Sequence, residues 1–170
     1  MKTFLPKREC DGEKRKFEVS RGLLLKLELR SNPNLLCVIR GAVERLTEVF
    51  GFSAPERRSV TRAVDEALGN VMRHAYCGRL DRPIAVHFRR VQRRSKGQID
   101  EGLEVLLWDR GPAIDTAKLC GRKLDEIRPG GLGLHFIRQA MDTVEFTRVG
   151  RTNRLRLVKY LQPAKLDPNS

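Results

Sequence analysis

The sequence predicts an α+β fold: a two-layer α/β sandwich in which a mixed, mostly antiparallel sheet carries helices on one face. Three observations point there. Periodicity runs in the order strand, helix, helix, strand, strand, loop, helix, strand, strand, which is not the alternation of a doubly wound sheet. The 170 residues are 40% hydrophobic, enough chain and enough apolar surface for one core. Repeats and low-complexity tracts are missing, so each element must be placed once.

Residues 1–20, "MKTFLPKRECDGEKRKFEVS", mix both charge signs and carry no apolar h-region, so they read as a flexible or loosely docked tail, not a signal peptide. A single domain is expected over 21–165. "LLLKLEL" (23–29) alternates as a strand does. "SNP" (31–33) offers a cap and a turn before a helix over 34–50, whose apolar stripe includes Leu35, Ile39, Ala42, Val43 and Leu46. In "GFSAPE", Ser53 is the candidate N-cap and Pro55 the first-turn proline of a second helix running to about Tyr76. Strands follow at 83–91 and 103–109, joined by a basic, glycine-containing loop. Residues 110–131 are long, polar and glycine-rich, as loops with a task such as a lid often are. A short helix (132–142) and strands 143–149 and 154–161, joined at "GRTN", complete the chain.

Composition excludes several classes. No apolar run approaches the roughly 20 residues that span a bilayer, so no membrane role is expected. The four cysteines, Cys10, Cys37, Cys77 and Cys120, form no CxxC pair and no zinc or disulfide spacing, which suits reduced thiols in a cytoplasmic protein. A formal charge of +13 calls for an acidic partner, a phosphate ligand or nucleic acid. The densest basic stretch, "RRVQRRSKG" (89–97), lacks interleaved aromatics, and the chain has no helix-turn-helix or RNA-recognition signature. It reads as a solvated hairpin, and nucleic acid is not an expected partner.

Three stretches carry candidate chemistry. In "EALGNVMRHAY" (66–76), Glu66, Asn70 and His74 recur every four residues beside the stripe Val60, Val64, Ala67, Leu68 and Val71. Such a ladder is either an ordinary boundary row, with Glu66 and Asn70 paired across one turn, or a partly shielded site. Asparagine is a mediocre helix former, yet its amide oxygen is a hard neutral ligand suited to Mg²⁺. In "RPGGLGLHFI" (128–137), Gly130, Gly131 and Gly133 surround a helix start, either as a hinge or as a place where a phosphate meets free backbone N–H groups. No GK[ST] follows, so it is not a P-loop. "LLWDRGPAID" (106–115) runs a hydrophobic strand into Asp109, which is a plain turn residue or an acceptor for the exocyclic amine of adenine.

Taken in order on one domain, "EALGNVMRHAY", "DRGPAID" and "PGGLGLHFIRQAMD" resemble the N box and the two glycine boxes of the GHKL (Bergerat-fold) ATPases, which include gyrase, histidine kinases and MutL. Within them the chain resembles the bacterial anti-sigma-factor serine/threonine kinases of the RsbW and SpoIIAB types, over roughly residues 20–161. The resemblance implies ATP as substrate and Mg²⁺ held by Asn70, with Arg73 reaching the phosphates. Asp109 would bind the adenine amino group, and Gly111 would lie beneath the base. Backbone around Gly131 and Gly133 would cradle phosphates, under a lid at 116–130. Glu66 would be the general base. Two positions depart from the pattern. Ala113 stands where the family's second glycine of that box packs against nucleotide, which implies weakened or altered affinity. "GRTN" matches the terminal Gly-Thr segment only loosely, leaving Thr152 as the adenine-side contact.

The implied function is a regulatory kinase that sequesters a sigma factor and phosphorylates a STAS-like anti-anti-sigma protein, working as a homodimer. A nucleotide-gated binding module without significant kinase activity is the alternative.

Overall fold

The computed structural model describes residues 22–95, 97–113 and 132–162. Strand β1 (Leu23–Arg30) alternates half-buried leucines with exposed residues. At its end Asn32 caps a short 3₁₀ turn (Pro33–Leu35) through its side chain, Asn34 N donating to Oδ1 at 3.0 Å. Helix α1 (Leu36–Val49) follows. Helix α2 (Ala54–Asn70) starts where the sequence predicts: Ser53 N and Oγ donate to the Glu56 carboxylate at 2.8 and 2.6 Å, with proline in the first turn. This is the capping-box arrangement, which satisfies helix-end donors that otherwise lack partners.

Beyond Asn70 the helix widens into a π turn (Val71–Ala75), closed by Tyr76 N donating to Val71 O at 2.9 Å. Strands β2 (Pro83–Ser95) and β3 (Gln98–Asp109) form a hairpin longer than the periodicity suggests. The expected loop over 92–102 is mostly ladder, paired from Gln92↔Glu101 to Ser95↔Gln98 around a turn with Gly97 at φ +83°. Charge masks the alternation there. Arg90 pairs with Glu101 at 3.4 Å and Arg93 with Asp100 at 3.0 Å, so much of the basic stretch is compensated across the strands. Helix α3 (Leu132–Ala140), β4 (Thr143–Val149) and β5 (Thr152–Tyr160) complete the described chain. Strand β5 begins two residues earlier than expected.

The sheet order is β1-β2-β3-β5-β4, and each pairing among the described residues is antiparallel. The α+β two-layer class predicted from element order is what forms. Helix α2 lies between α1 and α3. The buried faces of these helices (Ile39, Val43, Val60, Val64, Ala67, Leu68, Ile137) share one core with Ile84, Val86 and Phe88 of β2, Val105 and Leu107 of β3, and Leu155 and Leu157 of β5. Cross-strand register stacks this face in rows. Val86, Leu107, Leu155 and Phe146 make one row. The row at the end of the sheet turns polar: Ile84 is followed by Asp109, Asn153 and Arg148. That polar end is where the C-terminal end of α2 arrives.

No helix among the described residues is long and apolar enough to cross a membrane.

Candidate nucleotide site

Two halves make the site, one from α2 and α3 and one from the polar end of the sheet. On α2, Glu66 and Asn70 do share a flank, and Arg73 joins them. Its Nη2 donates to Glu66 Oε1 at 3.1 Å and to Asn70 Oδ1 at 3.3 Å. The ladder is therefore neither a bare boundary row nor a direct Glu66–Asn70 pair, because a guanidinium bridges them. Arg73 is 58% exposed and Glu66 32%, so this ion pair contributes at most about 1 kcal/mol to stability. Its importance lies in where it holds the carboxylate. Gly133, the second residue of α3, lies directly against the Glu66 side chain. One turn earlier on α2 and one turn later on α3, the Arg62 guanidinium covers the Phe136 ring at 4.2 Å. Those two contacts keep α2 and α3 in register.

At the sheet end Asp109 is 6% exposed, so its carboxylate needs partners. Gly111 N and Asn153 Nδ2 donate to Oδ1 at 2.7 and 2.8 Å. Both of these bonds fall on the same oxygen, so they fix the carboxylate's orientation through one atom. Asn153 is itself 2% exposed and also donates to Pro112 O at 2.9 Å. Arg148 Nη1 donates to Asn153 Oδ1 at 2.6 Å and to Gly111 O at 3.3 Å. The segment after β3 is thus tied down by two side chains of the next hairpin.

Tyr76 and Ala75 join the two halves. Tyr76 Oη donates to Pro83 O at 2.6 Å and accepts from Arg110 N at 2.7 Å. Burial pushes its phenol up from the ordinary value, against the opposing pull of the Arg110 N–H. Gly111 packs against Ala75, and a Cβ built on it would meet the Ala75 Cβ at 2.6 Å. Thus "HAY" at the end of α2 is clamped onto "DRG" at the end of β3. His74 is not part of the clamp; it lies on the exposed side of the π turn.

Of the residues singled out from sequence, Arg73 bridges Glu66 and Asn70, and Asp109 and Gly111 form the second group. Gly133 belongs to the first. Ala113 is exposed at the end of the described segment, and Thr152 is half-buried opposite Val149. Gly130, Gly131 and the lid at 116–130 lie outside the described residues. Asn153 and Arg148 were missed. Extending the period of Leu157 and Leu155 back by two reaches Asn153, so alternation was the available signal, hidden by reading "GRTN" as a turn.

A family model for the histidine kinase-like ATPase domain matches residues 29–159, and the chain belongs to that family. Its relatives place it in the anti-sigma-factor serine/threonine-kinase branch. It is 25% identical over 154 residues to the serine-protein kinase RsbW of Bacillus pumilus, covering 85% of this chain and 90% of that one. To the serine/threonine-protein kinase BtrW of Bordetella bronchiseptica it is 30% identical over 116 residues, 66% of this chain and 76% of that one. A crystal structure of RsbU and RsbW domains from Mycobacterium tuberculosis has the same fold, with a TM-score of 0.53 and 14% identity. It covers 83% of this chain, which spans about a third (34%) of that longer one.

Proposed function

We propose that this chain binds Mg·ATP between the two halves described and transfers the γ-phosphoryl group to a serine or threonine of a STAS-like antagonist protein. In the same reading it sequesters a sigma factor, works as a homodimer in the cytoplasm, and is released from the sigma factor through the antagonist. The observation that carries this is the bridged group Glu66–Arg73–Asn70, joined through Ala75 and Tyr76 to an oriented Asp109.

Asp109 accepts from the adenine amine, its carboxylate turned by Gly111 and Asn153. Gly111 lies beneath the base, with Ala113 and Thr152 at its margin. The backbone at Gly131 and Gly133 meets the phosphates, where a helix start favours anions. Asn70 would hold Mg²⁺. The donor chemistry fits, since Asn70 offers a hard amide oxygen that here accepts from Arg73 Nη2 at 3.3 Å, and Mg²⁺ takes most of its shell from phosphates and water. When bound, the ion neutralises phosphate charge. Glu66 takes the proton from the acceptor hydroxyl as its oxygen bonds to the γ-phosphorus and the bond to the β-phosphate oxygen breaks, leaving ADP. Positioning and electrostatics supply most of such a reaction's acceleration.

Thermal unfolding with and without Mg·ATP tests the site. At about 100 times Kd the wild type should gain roughly 2.7 kcal/mol. Asn70→Ala should lose the Mg²⁺-dependent part of that gain. A folded wild type with no gain would leave the chain as a partner-binding module that uses no nucleotide.

A further inference from the structure

We propose that Gly133 and Gly69 are positioning residues for the Glu66 carboxylate, Gly133 leaving room for the carboxylate itself and Gly69 for the Arg73 guanidinium that bonds to it. This rests on the assignment of Glu66 as the base in the reaction above. It assigns Gly133 a task distinct from offering backbone to phosphate.

The geometry is specific on both sides. A Cβ built on Gly133 would lie 2.6 Å from Glu66 Cδ and 2.8 Å from Cγ, and closer still to Oε1. Real Cβ atoms do not approach so closely, so any side chain at 133 must expel the carboxylate from where it now sits. On the opposite flank, a Cβ on Gly69 would meet Arg73 Nη1 at 2.9 Å, and Cζ and Nη2 at 3.2 Å each. The guanidinium therefore lies flat on the bare backbone of α2, and from there Nη2 reaches Glu66 and Asn70. Gly69 is buried in the last turn of α2, where a glycine costs about 1 kcal/mol relative to alanine. The seat for Arg73 gives that cost a physical reason.

The carboxylate also lies beside the first turn of α3, where the positive end of the helix dipole favours an anion. Its neighbours thus press from three directions: α3 behind, the guanidinium on one side, and α2 from which it springs. A base held this way has its lone pairs directed before the acceptor hydroxyl arrives. Misplacement of a reacting group by about 1 Å costs on the order of 100-fold in rate.

A size-swap cycle tests this: wild type, Gly133→Ala, Glu66→Asp and the double variant. Each is measured for Mg·ATP dissociation constant, thermal stability and release of phosphate from γ-labelled Mg·ATP, with water as the acceptor. Gly133→Ala should lower turnover by about 100-fold, a much larger factor than any rise in the dissociation constant. Glu66→Asp alone should also be slow, because its carboxylate falls short. In the double variant the shorter side chain leaves room for the methyl group, and turnover should exceed that of Gly133→Ala by about tenfold. A merely structural glycine would show no such rescue in turnover.

If Gly133→Ala instead weakens Mg·ATP binding and Glu66→Asp restores nothing, the glycine serves the phosphates and the proposal is wrong. Turnover by Glu66→Asp as fast as that of the wild type overturns Glu66 as the base, and the positioning role falls with it. No nucleotide binding by the folded wild type overturns the kinase reading itself. Gly69→Ala asks the same question without touching α3. The atoms it meets are the far end of a flexible side chain, so the protein should fold with Arg73 pushed aside. Turnover should fall and nucleotide affinity hold; loss of affinity alone would assign Arg73 to the phosphates and remove Gly69 from the proposal.

Discussion

Asn153 illustrates how much a single amide can organise. It sits in one cross-strand row with Asp109 on β3 and Arg148 on β4, and it bonds to both as well as to the Pro112 carbonyl. Asn153 and Asp109 are both buried, so the Asp109 carboxylate would lack a ready water to replace the amide. Asn153→Leu should therefore lower unfolding stability by about 2–3 kcal/mol, the cost of leaving buried polar groups unpaired. Urea unfolding reads this directly. The same variant should weaken adenine-dependent binding, because among the described residues the Gly111 N–H is then the one donor left to orient the Asp109 carboxylate. A stability unchanged within 0.5 kcal/mol would mean that the network carries no weight, since that is about the scale of ordinary surface substitutions.

At the scale of elements, the deciding feature is how α2 ends. An α-helix continuing regularly past Asn70 would turn its side chains by 100° each. The π turn interrupts that advance at Val71–Ala75, and there Tyr76 points at the β3 loop. Such turns recur at functional sites because they re-aim a few side chains without ending the helix. Tyr76→Phe removes one hydroxyl that serves two backbone groups, Pro83 O and Arg110 N. Both are part-buried, so we expect a loss of about 2 kcal/mol with an unchanged urea slope. Nucleotide affinity should fall in parallel, because the clamp between the two halves of the site loosens.

For the whole molecule, the two faces of the sheet differ. The helices cover one, and the other mixes charged side chains with Leu106, Trp108 and Val158 among the described residues. There Glu104, 4% exposed, bonds with Arg156 at 2.6 Å, and the His87 and Trp108 rings lie 6.3 Å apart. Burial holds the His87 imidazole below its ordinary value; Lys26 and Arg89 push the same way, and Glu28 opposes them. In the unfolded chain that imidazole titrates near its ordinary value of about 6.5, so between there and the folded value the unfolded state binds more protons. Stability from this group is complete above about pH 6.5 and falls as the pH drops toward the folded value. His87→Gln should flatten that part of the stability profile measured by urea unfolding, and an unchanged slope would exclude His87 as its source.

The sequence by itself determined the fold class, the order of the elements, and the three stretches that meet at the candidate site. Those follow from local rules: side-chain period, capping chemistry at Ser53, and glycine beside a helix start. Glu66, Asn70 and Asp109 were legible because each stands at a recognisable spacing on one element. Tertiary structure alone decided what connects them. That Arg73 bridges Glu66 and Asn70, that Gly133 abuts the carboxylate, and that Asn153 turns Asp109 are contacts between segments up to 67 residues apart, as for Glu66 and Gly133. Period and capping act over a few residues, whereas those contacts depend on how α2 seats against α3 and how β5 registers against β3, which only packing of the whole core sets.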